Sequence, residues 1–150
     1  MKKEITIEVL AALLILLFLY AGFSKWFDIA RFRHDLSNQP LPHWMGGLLV
    51  WILPASEILT AILLFSERTR PLGFLISTVL LSIFTVYIIL GLSGAFHRVP
   101  CSCGGVIRSL GWKNHLFFNA FFLLAATLGL RLDNPENRKQ NEQPRMAGRV

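Results

Sequence analysis

Two cysteines that stand one residue apart are the side chains of this sequence best suited to covalent chemistry. Cys101 and Cys103 lie in the segment Val99-Pro-Cys-Ser-Cys-Gly-Gly105 and are the only cysteines of the chain. With one residue between them, two cysteines reach disulfide distance only with backbone strain, which the adjacent Gly104 and Gly105 help to absorb. A strained disulfide is easily reduced, so the pattern predicts a redox-active pair.

A histidine that follows this segment could handle the proton of a thiol. Trp112, His115 and Asn119 are spaced i, i+3, i+7, so they share one face if a helix extends back to Trp112. A histidine or a helix N-terminus near a cysteine favours the reactive thiolate. The alternative is structural, with Trp112 in an interfacial aromatic belt and the other two hydrogen-bonded between helices. Asn114 is the predicted N-cap of this helix.

Four apolar segments must position these residues. Hydrophobic residues make up 53% of the chain and charged residues 16%, a balance that is typical of membrane proteins rather than of soluble domains. A membrane crossing needs roughly 20 apolar residues, and residues 5–27, 44–65, 72–96 and 115–130 form runs near that length. We therefore predict an all-α integral membrane protein, a four-helix transmembrane bundle surrounded by the lipid bilayer.

The remaining segments are polar. The first run has small residues at Gly22 and Ser24 but no clean small-x-small cleavage site, so we interpret it as a helix and not as a signal peptide, with Lys25 and Trp26 anchoring its end at the interface. Residues 28–43 predict a short amphipathic excursion on the outer surface. We expect one bundle domain over residues 1–132 and a polar, disordered cytoplasmic tail over residues 133–150.

The basic residues predict an orientation. Nine lysines and arginines fall in the two terminal segments and the connection between the second and third runs. Six fall on the other side, five in the first and third connections and one, Lys25, at the end of the first run. By the positive-inside rule, both termini are cytoplasmic. Both cysteines and all four histidines then face an oxidising compartment, where disulfides persist. Cations that face anionic lipid account for the net charge of +6, so no nucleic-acid partner is expected.

One carboxylate stands near the middle of the second run. Glu57, in Trp51-Ile-Leu-Pro-Ala-Ser-Glu-Ile-Leu-Thr60, is costly in hydrocarbon and should avoid lipid. It could be protonated, could pair with Lys25, or could accept hydrogen bonds from backbone freed by Pro54 or from hydroxyls of the third run, such as those of Thr78, Ser82 and Thr85. Both a packing role and a role with protons or a quinone remain open. No cofactor motif is evident in the sequence.

Three sequence elements carry a family resemblance. They are Ala21-Gly-Phe-Ser-Lys-Trp-Phe-Asp28, Leu53-Pro-Ala-Ser-Glu57, and Pro100-Cys-Ser-Cys-Gly-Gly105 followed by Trp112, His115 and Asn119. Over about residues 5–132 the chain resembles the methylamine-utilisation MauE family of DoxX-like four-helix membrane proteins. The resemblance implies a helper of protein maturation in a bacterial inner membrane. Such helpers are associated with formation, transport or disulfide assembly of the methylamine dehydrogenase small subunit, beside a thioredoxin-like partner.

These features predict thiol-disulfide exchange with an exported protein. Cys101, Cys103 and His115 are the expected catalytic residues of this possible oxidoreductase. The expected supporting residues are Lys25, Glu57, Trp112 and Asn119. No oligomeric state is assigned.

Two other functions remain open. The chain could be a non-redox structural subunit or small-molecule carrier, with the cysteines as a static staple. It could instead bind copper(I) or zinc through Cys101, Cys103, His97 and His115, since thiolates and imidazoles suit these ions. The sequence contains no phosphate loop, HExxH element, nucleophile elbow or dinucleotide fingerprint, which excludes the corresponding enzyme classes.

Overall fold

Five helices make up the part of the chain that the structure describes. The computed structural model covers residues 2–38, 42–93 and 112–133, with the backbone alone at His43 and Trp112. The helices are α1 (Lys2–Phe27), α2 (Ile29–Ser37), α3 (His43–Phe65), α4 (Arg70–Leu92) and α5 (Trp112–Leu132). All except α2 are long and apolar enough to cross a membrane. The predicted all-α, four-helix membrane architecture is confirmed.

The helix ends differ from the predicted runs where polar residues flank an apolar stretch. α1 and α3 end as predicted, at Phe27 and Phe65, but α4 already ends at Leu92, before the predicted 96. α5 begins at Trp112 and not at residue 115. Asn114 therefore lies inside the first turn, and its prediction as the N-cap is wrong. The first amides of a helix need no intrahelical partner, so polar residues are readily included in this turn.

The bundle is apolar on its outside as well as in its core. Leu14, Leu64 and Phe74 are fully buried at the centre. Many large apolar side chains are exposed, among them Phe65 at 81% and Leu16 at 66%. A soluble protein would not leave so much apolar surface in water. This outer surface is suited to contact with lipid chains.

Small residues allow the helices to approach each other closely. A Cβ atom at Gly129 of α5 would overlap the ring of Phe74 on α4. A Cβ atom at Gly22 of α1 would lie 3.0 Å from Cγ1 of Ile58 and 3.4 Å from the carbonyl oxygen of Pro54, both on α3. Close backbone approach at glycine is a common basis of helix packing in membranes.

The short helix α2 packs along the first half of α3. The Asp28 side chain accepts a hydrogen bond from the amide of Arg31 at 3.3 Å and so caps α2. Phe32 and Leu36 are buried against Val50. The segment predicted as a short amphipathic excursion thus contains a helix with one apolar face packed on α3.

The long helices alternate in direction along the chain. α1 and α4 end, and α3 and α5 begin, at the same end of the bundle, which we call the His115 end. The chain leaves this end after Ser93 and returns to it at Trp112. The segment between these residues carries both cysteines and lies outside the described residues.

Candidate functional site

A buried ion pair links α1 to α3. Nζ of Lys25 lies 2.7 Å from Oε1 and 3.0 Å from Oε2 of Glu57. The two side chains are only 5% and 2% exposed. Among the candidate partners of Glu57 named from the sequence, the structure shows Lys25 as the one that contacts its carboxylate.

The same ammonium group has two further partners. Nζ of Lys25 donates to the carbonyl oxygen of Ala21 at 3.2 Å, one helical turn earlier. It also lies 5.9 Å from the ring centroid of Phe32 on α2, within the range of a cation–π interaction. Lys25 therefore points into the bundle, and its prediction as an interfacial anchor is wrong. The physical reason is that the long side chain of Lys25, near the end of α1, can reach a carboxylate on α3.

The hydroxyl groups of α4 are used within their own helix. Thr78, Ser82 and Thr85 each donate to the carbonyl oxygen four residues earlier, at 2.7–2.8 Å. A hydroxyl group has one proton, so these three do not donate to Glu57 as well. Their prediction as donors to that carboxylate is wrong.

Asn119 joins α5 to α4 by two hydrogen bonds. Its Nδ2 donates to the carbonyl oxygen of Leu81 at 3.0 Å and to Oγ1 of Thr85 at 2.7 Å. The predicted hydrogen bonding of this residue between helices is confirmed.

His115 lies one turn before Asn119 on the same face of α5. Its side chain is only 3% exposed. Its Nδ1 atom is buried and has no hydrogen-bond partner among the described residues. Because buried polar atoms are normally paired, this nitrogen marks a place where a further group can bind.

A cavity of about 40 Å³ brings these side chains together. Lys25, Glu57, His115 and Asn119 supply its polar lining. Its apolar lining consists of Leu17, Phe18, Ala21, Leu81, Phe84 and Phe118. Four predicted site residues, far apart in sequence, thus meet at one place near the His115 end. Helix α5 also extends back to Trp112, as is required for Trp112, His115 and Asn119 to share one helical face.

A family match covers the elements that form this site. Residues 3–132 match the family described as methylamine utilisation protein MauE. The chain belongs to the MauE family. The matched region runs from the first turn of α1 to the end of α5 and includes the cysteine segment, which confirms the resemblance to the MauE family. No curated protein and no solved structure matches the chain.

For this MauE-family chain, the predicted metal site falls mostly outside the described residues. Cys101, Cys103 and His97 lie between Ser93 and Trp112, and only His115 of that set is placed. Within residues 2–38, 42–93 and 112–133, no three His, Cys, Asp or Glu side chains are grouped as metal ligands. The described cluster is an ion pair with one histidine and one amide.

Sequence reasoning missed the aromatic part of the site. Phe32 faces the lysine ammonium group, and Phe84 and Phe118 line the cavity. Phe118 could have been found, because it follows His115 by three residues on the same helical face. For Phe32, no signal in the sequence connects it to Lys25.

Proposed function

We propose that this MauE-family protein supports the maturation of exported proteins by thiol-disulfide exchange through Cys101 and Cys103. The observation that carries the proposal is the buried imidazole of His115, whose Nδ1 has no partner among the described residues. It lies at the end of the bundle from which the cysteine segment leaves and to which it returns. A histidine there is suited to accept and return the proton of a thiol.

Chain length sets an upper limit on the distance of each thiol from the ends of α4 and α5. Cys101 follows Ser93 by eight residues, and Cys103 precedes Trp112 by nine. A fully extended chain spans at most about 3.6 Å per residue, so neither cysteine can lie more than about 32 Å from these ends. This limit is compatible with action of the two thiols at the His115 end of the bundle, as the proposal requires.

The exchange itself needs no oxidant beyond the disulfide of one partner. A thiolate of the reduced cysteine pair attacks a disulfide of the client, that S–S bond breaks, and a mixed disulfide forms with release of a client thiolate. The second thiolate of the pair then attacks the mixed disulfide, which leaves a reduced client and an oxidised Cys101–Cys103 pair; the same steps in reverse oxidise a client. The protons that the thiols of the pair lose equal those that the released client thiolates take up. His115 is the proposed carrier of these protons.

The partners in this proposal follow from the family and from the charge distribution. A thioredoxin-like protein exchanges disulfides with the cysteine pair, and an exported protein is the client. Both termini lie in the cytoplasm of a bacterial cell, with the His115 end outside. The family description suggests a protein of methylamine utilisation as the client.

A structural role is the second candidate, and the polar contacts between helices favour it. The Lys25–Glu57 pair and the bonds of Asn119 connect α1 to α3 and α4 to α5, as they would in a static scaffold. Replacing each cysteine singly by serine separates the two functions. A redox carrier loses activity and traps its client, whereas a scaffold keeps its activity and traps nothing.

A further inference from the structure

The polar groups around the cavity are unequally satisfied. The ammonium group of Lys25 makes three hydrogen bonds, which use all of its donors. The amide nitrogen of Asn119 makes two, which also use all of its donors. Nδ1 of His115 makes none among the described residues. The described lining of the cavity therefore includes a histidine with an unpaired ring nitrogen and a carboxylate.

The cavity is large enough to hold water. A water molecule needs roughly 10–15 Å³, and the observed 40 Å³ is sufficient for one or two of them. A buried water molecule typically makes two to four hydrogen bonds, and the imidazole of His115 and the carboxylate of Glu57 can supply two of them.

Lys25 has two contacts that do not depend on the charge of Glu57. When Glu57 takes up a proton, Lys25 becomes a buried cation without a counter-ion, which is normally costly. Here the carbonyl oxygen of Ala21 at 3.2 Å and the ring of Phe32 at 5.9 Å remain as partners of the ammonium group. These two contacts lower the cost of a neutral Glu57.

We propose that the cavity holds water that links Nδ1 of His115 to the carboxylate of Glu57, and that the Lys25–Glu57 pair exchanges protons with His115 through it. The role of this relay in disulfide exchange rests on the proposed function. The water link itself rests on the cavity and the unpartnered nitrogen alone.

The relay moves protons only. An imidazolium N–H bond of His115 breaks, the water passes a proton on, and an O–H bond forms on Glu57; the return transfer reverses each step. The charged or titratable groups that line the cavity are Lys25 from α1, Glu57 from α3 and His115 from α5. α4 contributes Leu81 and Phe84, which do not titrate. Lys113, on the helix of His115, is exposed and lies outside the lining.

Nuclear magnetic resonance can detect the water link without any redox assay. The protein is made with His115 as its only histidine, by replacing His34, His43 and His97 with glutamine, and with labelled histidine. We expect a cross-peak between bound water and the ring of His115. Leu17→Phe fills the cavity and should abolish this cross-peak, whereas Leu16→Phe, on the exposed face of α1, should leave it unchanged.

Two results would overturn the water link. One is the absence of the cross-peak in the parent protein, and the other is its persistence in a folded Leu17→Phe variant. If Leu17→Phe does not fold, Phe84→Trp fills the cavity from α4 and gives the same comparison.

The relay is tested by removing both charges together. In Lys25→Met/Glu57→Leu no buried charge is left alone, so this variant should fold. We expect its rate of disulfide exchange to follow a different pH profile from the parent, while client trapping by a single cysteine variant persists. An unchanged pH profile would refute the relay and leave the proposed function standing. If the single cysteine variants with Lys25 and Glu57 unchanged trap no client, while the water cross-peak is present, the proposed function is refuted and the water link stands.

Discussion

Removing one charge of the Lys25–Glu57 pair should destabilise the bundle far more than removing both. The pair is almost completely buried, and Nζ of Lys25 lies 2.7 and 3.0 Å from the two carboxylate oxygen atoms of Glu57. Breaking a buried pair by removing one partner costs about 3–5 kcal/mol, because the remaining charge is left without compensation. Replacing both partners by apolar residues of similar size is often neutral.

The structure also ranks the two single variants. In Glu57→Leu the lysine keeps its contacts with the carbonyl oxygen of Ala21 and the ring of Phe32, so the cost should be near the lower value. In Lys25→Met the carboxylate loses the partner of both its oxygen atoms, so the cost should be near the upper value. The double variant Lys25→Met/Glu57→Leu should have a free energy of unfolding that is larger than that of either single variant by about 3 kcal/mol or more.

Unfolding of the purified protein in mixed micelles, followed by circular dichroism as dodecyl sulfate is added, measures these differences. Glu67→Gln is the matched control, because Glu67 is exposed in the turn between α3 and α4. Its free energy of unfolding should stay within about 0.5 kcal/mol of the parent. The reasoning fails if both single variants cost less than about 1 kcal/mol, or if the double variant is as unstable as the sum of the single variants.

Three further predictions follow from the packing and from the basic residues. Gly129→Ala should lose about 1–3 kcal/mol of stability because the new methyl group overlaps the ring of Phe74. The control Gly47→Ala, where a Cβ atom meets nothing within 4 Å, should lose none in the same micelle assay. Equal stabilities of the two variants would contradict the close packing of α4 and α5. Asn119→Leu should cost about 1 kcal/mol through its two lost bonds to α4, and a more stable variant would show that these bonds contribute nothing. A membrane-impermeant thiol reagent should label both cysteines in intact cells after mild reduction. Labelling that occurs only after the membrane is broken would show that the predicted orientation is wrong.

The membrane helices could be predicted because their signal is local. An apolar run of about 20 residues specifies a membrane helix by its length alone, without knowledge of its neighbours. For this reason α1 and α3 end at the predicted Phe27 and Phe65. The start of α5 was misplaced because Trp112, Lys113 and Asn114 break the apolar run without breaking the helix. The polarity of a residue marks where an apolar run ends, but it does not decide where hydrogen-bonded helix geometry ends.

The contacts of the site depend on residues that are distant in sequence. Lys25 and Glu57 are 32 residues apart. Taken alone, a lysine beside a tryptophan at a helix end indicates an interfacial anchor. The helix face shared by His115 and Asn119 followed from their spacing, but the cavity between four helices did not. Lys25 also belongs outside the count of basic residues that set the orientation, because its charge is compensated by Glu57 inside the bundle.

The most direct test of the account is covalent trapping of a client by the cysteine pair. Cys101→Ser and Cys103→Ser are made separately in cells that express the client proteins, and Cys101→Ser/Cys103→Ser is the control. The account predicts that at least one single variant forms an adduct with an exported protein, that a reductant releases the adduct, and that the double variant forms none. We favour Cys101 as the attacking residue, since Gly104 and Gly105 next to Cys103 let that thiol return to resolve the intermediate. If neither single variant traps a client and both keep full activity in maturation, the cysteines are not redox carriers.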